Sequence, residues 1–199
     1  MYGKKISRRP SAVMTAVFMF VLPFCCLRPA WAGSASSAVF NFSAVFVGGG
    51  CNISTSDAEI IFGGGDPIMP SDIISSPPQA SFNLTLSNCS GYGLTPKINV
   101  AGESTTLFGP ALFRSSADSA SDGYGILLAT AGNSSFSENT NLAASKVITA
   151  KSWDTGTTLS SSTLDTTLPV TATLTCGDCT YSRRSGDLIA TVTFDFVYD

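Results

Sequence analysis

The chain has 199 residues, with 14 acidic and 11 basic side chains, a formal charge of −3 at pH 7 and no histidine. Without histidine the commonest general base and the commonest metal ligand are missing, which excludes Ser-His-Asp and Cys-His catalytic sites. The acidic balance disfavours nucleic acid and anionic membrane as partners.

The first 32 residues have the composition of a targeting segment. Lys4, Lys5, Arg8 and Arg9 precede an apolar run from Ala12 to about Leu27, and Ala30-Trp31-Ala32 supplies a small-x-small site. A signal peptide spanning 1–32 and cleaved after Ala32 is therefore expected. Pro23 and Arg28 leave the apolar run shorter than the ~20 residues a spanning helix needs. The remaining 167 residues hold all 14 acidic side chains and six basic ones, a formal charge of −8. That length fits one domain and does not fit two comfortably.

Beyond residue 32 no segment shows sustained helical periodicity. Residues 33–47 contain an alternating strand with Ala38, Phe40, Phe42, Ala44 and Phe46 on one face and Asn41 and Ser43 on the other. Further alternating runs follow at Ala58–Phe62, Ser81–Cys89, Lys97–Val100, Thr106–Phe113, Tyr124–Ala129, Lys146–Ala150 and Pro169–Cys176. The last run, Gly186–Asp199, reads as one long half-buried strand. Leu188, Ala190, Val192, Phe194, Phe196 and Tyr198 share one face. Short alternating runs between Gly, Pro, Ser and Asn clusters predict an all-β sandwich. Gly48–Gly50 and Gly63–Gly65 read as turns, and the Ser/Thr-rich stretch Thr155–Thr167 as an exposed loop.

The expected signal removes Cys25 and Cys26, leaving Cys51, Cys89, Cys176 and Cys179. An even number of cysteines after a secretory signal implies disulfides in an oxidising compartment, and four permit three pairings. Cys176-Gly177-Asp178-Cys179 has redox-motif spacing, but it follows a strand and lacks a βαβ context, so a turn-locking disulfide is the simpler reading. Trp153 could stack on a sugar, yet a lone tryptophan at a strand end is more simply core or rim. No aspartate pattern forms an EF-hand loop, and no metal or cofactor is expected.

Gly186, fourteenth from the end, and the penultimate Tyr198 resemble the C-terminal signature of subunits of chaperone-usher pili (fimbriae) of Gram-negative bacteria. The cysteine of Phe-x-Leu-x-Leu-x-Asn-Cys (Phe82–Cys89) and the alternating N-terminal strand resemble the same family. The resemblance implies an incomplete immunoglobulin-like β-sandwich over 48–199 that lacks its seventh strand. Residues 33–47 would be the donor strand that completes the sandwich of a neighbouring subunit. It also implies a Cys51–Cys89 pair tying the first two strands together, leaving Cys176 to Cys179. Gly186, Val192, Phe194, Phe196, Tyr198 and the carboxylate of Asp199 would form the recognition strand for a periplasmic chaperone. An outer-membrane usher then adds the subunit to a fibre on the cell surface. Family members usually carry glycine at the position of Ala44, whose extra methyl implies a deeper pocket or slower exchange. The function implied is structural, supporting cell adhesion, and not enzymatic. The alternative from another class is a carbohydrate-binding tip adhesin, but two-domain adhesins carry a lectin domain for which 167 residues leave no room.

Overall fold

The computed structural model describes residues 49–93, 95–151, 153–154 and 158–198. The expected signal peptide, the strand carrying Ala38, Phe40, Phe42, Ala44 and Phe46, and Asp199 lie outside the described residues. Ten strands follow in order: β1 (Gly49–Thr55), β2 (Gln79–Tyr92), β3 (Pro96–Gly102), β4 (Ser104–Thr105), β5 (Leu112–Phe113), β6 (Gly125–Thr130), β7 (Val147–Thr149), β8 (Thr158–Ser160), β9 (Thr166–Thr175) and β10 (Val192–Tyr198). Three short helices interrupt them: α1 (Pro70–Ser75), α2 (Leu142–Ser145) and α3 (Ser161–Leu164). Among the described residues no helix is long and apolar enough to cross a membrane.

The strands form two antiparallel sheets. One runs β1-β2-β9-β6-β5-β4, with β8 also pairing β2; the other runs β10-β3-β7. Alternation decides which side chains meet. Phe82, Leu84 and Leu86 of β2 and Leu168, Val170 and Ala172 of β9 share one core with Ile98 and Val100 of β3 and Ile148 of β7. Each fully buried aliphatic or aromatic side chain in it is worth about 1.5–3 kcal/mol of transfer free energy.

The β1–β2 ladder shifts register between Gly50 and Asn52, where Asn88 takes φ 53°. This is a β-bulge, and it moves the buried face of β2 from Leu86 to Cys89. The carboxylate of Asp165 accepts from the main-chain N–H of Asn88 (3.2 Å) and of Cys89 (3.0 Å), so the bulge leaves neither donor orphaned. Cys89 is bonded to Cys51 directly across the strands, with their Cα atoms 4.1 Å apart. Cys176 is bonded to Cys179.

Several expected elements differ. Ala58–Phe62 is not a strand: it has no partner strand and runs into a 3₁₀ turn, Phe62–Gly65, in which Gly63 and Gly64 hold φ near 65°. Within Thr106–Phe113 only Leu112 and Phe113 form a strand, because a turn closed by Gly109 N–H on Thr106 C=O packs against the Cys176–Cys179 loop. Gly49 and Gly50 extend β1 opposite Gly91 and Ser90 instead of forming a turn. The stretch Thr155–Thr167, expected as an exposed loop, contains β8, α3 and the start of β9. Leu164 of α3 is fully buried and draws the segment onto the core.

Replacing Cys51 and Cys89 by serine is expected to lower stability by roughly 3–4 kcal/mol, the loop-closure estimate for a 38-residue separation. The Cys176–Cys179 pair spans three residues, and its loss should cost much less. Urea midpoints of the two double variants test the ranking; equal shifts would contradict it.

Candidate functional site

The C-terminal strand sets the geometry. β10 pairs with β3 in continuous register from Val192 opposite Gly102 to Tyr198 opposite Pro96. Among the described residues its other edge has no partner, and β1 likewise pairs only with β2. β1 and β10 approach each other, with Cα atoms within 8 Å in places, but no ladder joins them. The consequence for packing is plain. Ile98 and Val100 of β3 are 0% and 2% exposed, whereas Val192, Phe194 and Phe196 of β10, which pack against the same core, are only half-buried. Cys51 and Ile53 of β1 are half-buried in the same way. Phe194 meets Phe82 with ring centroids 6.0 Å apart, so the inner face of β10 points at the core and is incompletely covered.

Other expected site residues have distinct surroundings. Alternation of burial runs from Leu188 through Phe196, but the ladder begins only at Val192, so the strand is shorter than expected. The segment before it hydrogen-bonds to a loop instead of to β3. Ser115 N–H donates to Ile189 C=O (2.8 Å), Ser121 N–H to Asp187 C=O (2.9 Å), and Ile189 N–H to Ser119 Oγ (3.0 Å). Gly186 has φ 148°, and a Cβ there would lie 2.8 Å from main-chain atoms of Ala120 and Ser121. Close approach of this loop therefore requires glycine at 186 independently of any partner. The loop is held from below by Arg114, 8% exposed, whose guanidinium donates to Ser121 C=O, to Ser121 Oγ and to Tyr124 C=O.

Sequence reasoning missed a cavity of about 580 Å³ at this end of β10. It is lined by the segment after β1 (Glu59–Phe62), the turn and start of α1 (Gly65–Ile73) and Ser185–Leu188, with Tyr124, Ile126 and Leu174 contributing from the sheet. The apolar residues at Ile60–Phe62 and Ile68–Ile74 are the available signal; the first group falls within the expected strand Ala58–Phe62, and the second within no expected element.

Elsewhere, Cys176 is buried and the Cys176–Cys179 loop is docked tightly: Asp178 N–H donates to Phe108 C=O (2.8 Å), and Gly177 lies so close to that carbonyl that a Cβ would collide with it. Trp153 packs against the core. Lys146 caps α2 in the left-handed conformation, donates to Gly102 C=O (2.8 Å) and sits 4.3 Å from the centre of the Phe113 ring. Burial lowers its pKa from the ordinary lysine value. Among the described residues no group of three or more His, Cys, Asp or Glu side chains is placed to hold a metal ion.

Compared with known proteins, the chain matches no family model and no curated protein.

Two substitutions test the geometry. Gly186→Ala forces the Ala120–Ser121 main chain to move and is expected to cost about 2 kcal/mol or more. Phe194→Ala in the isolated chain should cost about 1–2 kcal/mol, less than the ~2–5 kcal/mol of Ile98→Ala, because Phe194 is already partly in water. Denaturant titrations that gave Phe194→Ala the larger loss would show that β10 is closed over.

Proposed function

We propose that this chain is a structural subunit of a chaperone-usher fimbria that polymerises by donor-strand complementation. The observation that carries the reading is β10. It is a C-terminal strand with an apolar inner face, half-buried against the core, and has no partner on its second edge among the described residues. In this reading the two sheets are an immunoglobulin-like sandwich without its seventh strand, and the gap lies between β1 and β10. The resemblance of Gly186 and Tyr198 to the family signature, and the cross-strand Cys51–Cys89 bond, support the same assignment.

The missing strand comes from the N-terminal segment of another subunit. Ala38, Phe40, Phe42, Ala44 and Phe46 alternate as a strand entering such a gap must, with main-chain hydrogen bonds providing adhesion and side chains providing register. Burying Phe40, Phe42 and Phe46 contributes roughly 5–9 kcal/mol before ordering costs. Neighbouring strands lie about 4.8 Å apart, so a strand between β1 and β10 needs them about 9.6 Å apart, and the two edges must open where they now approach within 8 Å. Before assembly a periplasmic chaperone lends a strand to the gap and holds the Asp199 carboxylate through basic residues. An outer-membrane usher then exchanges it for the next subunit's strand. The assembled fibre stands on the cell surface and supports adhesion.

The test mixes chaperone-bound subunit with a synthetic peptide spanning Ser36–Val47. Release of chaperone with a large rise in melting temperature is expected, and a Phe42→Asp peptide should fail, since a carboxylate in an apolar pocket costs several kcal/mol. A peptide that neither displaces chaperone nor stabilises the subunit removes the basis for the assignment.

A further inference from the structure

The cavity at the Gly186 end of the open side has a chemistry of its own. Its floor is apolar, formed by Ile73, Tyr124, Ile126 and Leu174, while its rim carries Glu59, Asp66 and Asp187 and no lysine or arginine. Among the described residues these three carboxylates make no hydrogen bond or ion pair, so none has a direct partner. Beside them Ile60 and Ile61 belong to no strand ladder, and Ile61, the N-cap of the Phe62–Gly65 turn, is extended at φ −108°, ψ 110°. Exposed apolar side chains gather here as well: Ile61 is 63% and Ile189 44% exposed, on the two chain segments that flank the opening. Apolar patches rimmed by polar groups mark interaction surfaces.

These features select the occupant. A chain segment that flanks the opening and belongs to no sheet is suited to another polypeptide strand, which can pair along it; a small molecule cannot. Carboxylates without a direct partner around an apolar floor favour a cationic group beside an apolar anchor. The chain's own N-terminal strand does not provide it. Residues 33–50 contain no charged side chain, and the first basic residue after 32 is Lys97.

We propose that this cavity receives an apolar side chain flanked by lysine or arginine on an incoming strand, so that the strand this chain accepts best belongs to a different protein and not to a second copy of itself. The inference rests on the strand-acceptor reading given above. Discrimination comes from the rim: each lysine brought to the carboxylates adds attraction, while an uncharged strand leaves them unpaired.

Three fluorescent peptides distinguish the cases on the purified chain of residues 33–199 at low salt: Ser36–Val47 itself, and the same peptide with two lysines added at its N-terminal or its C-terminal end. One lysine-bearing peptide is expected to bind about three- to tenfold more tightly than the unmodified one, with the advantage lost in 0.5 M salt, a concentration that screens beyond about 4 Å. The advantage should also disappear in a Glu59→Gln/Asp187→Asn variant and persist in a Glu138→Lys variant. The latter changes the net charge by the same two units at an exposed position that does not line the cavity. Equal binding of all three peptides overturns this inference and leaves the strand-acceptor reading intact. An advantage that survives Glu59→Gln/Asp187→Asn, or one that both variants abolish equally, also overturns it, since the attraction is then to net charge. No binding by any peptide overturns both.

Discussion

An antiparallel strand presents hydrogen-bonding groups along both edges, and a terminal strand left with one edge empty is stable only if its apolar face is covered by something else. β10 meets the first half of that condition and not the second. β3 satisfies one edge over its whole length, yet Val192, Phe194 and Phe196 remain half in water, as do Cys51 and Ile53 of β1, beside a core whose β2, β3 and β9 side chains are buried. The rest of the described fold positions the two edges. The bulge at Asn88, with the Cys51–Cys89 bond across it, fixes β1 onto β2, and the other edge of β1 forms no ladder with β10. At the other side Arg114 and the Ser115–Ser121 loop clamp the segment entering β10, and Gly186 permits that contact.

An open apolar edge is an aggregation hazard, and the surroundings of β10 temper it. Thr193 and Asp195 occupy its exposed face, and the net charge of −8 over residues 33–199 sets copies of the chain against one another. These devices slow self-association without covering the apolar face. A strand that does cover it gains both hydrogen bonds and burial, and since an inserted strand must leave as a unit, its retention is governed by a barrier more than by an equilibrium. The strand's own composition then decides which protein supplies it. On this chain the acidic rim at Glu59, Asp66 and Asp187 weights that choice toward a basic partner strand.

The strands that were legible in the sequence are those with one face in the core. Ser81–Cys89, Lys97–Val100, Tyr124–Ala129 and Pro169–Cys176 alternate because burial alternates, and each lies within or close to β2, β3, β6 and β9. The irregular parts were hidden for physical reasons. Ile60–Phe62 is apolar because it lines a cavity, which periodicity cannot distinguish from a short strand. Gly49 and Gly50 look like a turn because glycine usually marks one, and here they lie in a strand beside a bulge. The role of Gly186 was attached to recognition through a family resemblance, whereas its packing against Ala120 and Ser121 depends on a loop that nothing local in the sequence places there.

Amide hydrogen exchange over Val192–Tyr198 tests the central claim most directly, because exchange reads the unpaired edge itself. In the isolated chain of residues 33–199, the β10 amides directed away from β3 should exchange within seconds to minutes while those bonded to β3 are slow. In assembled material the outward set should become as protected as the inward one. Uniform protection of β10 already present in the isolated chain would mean that the domain is closed by its own strands, and the account would be wrong.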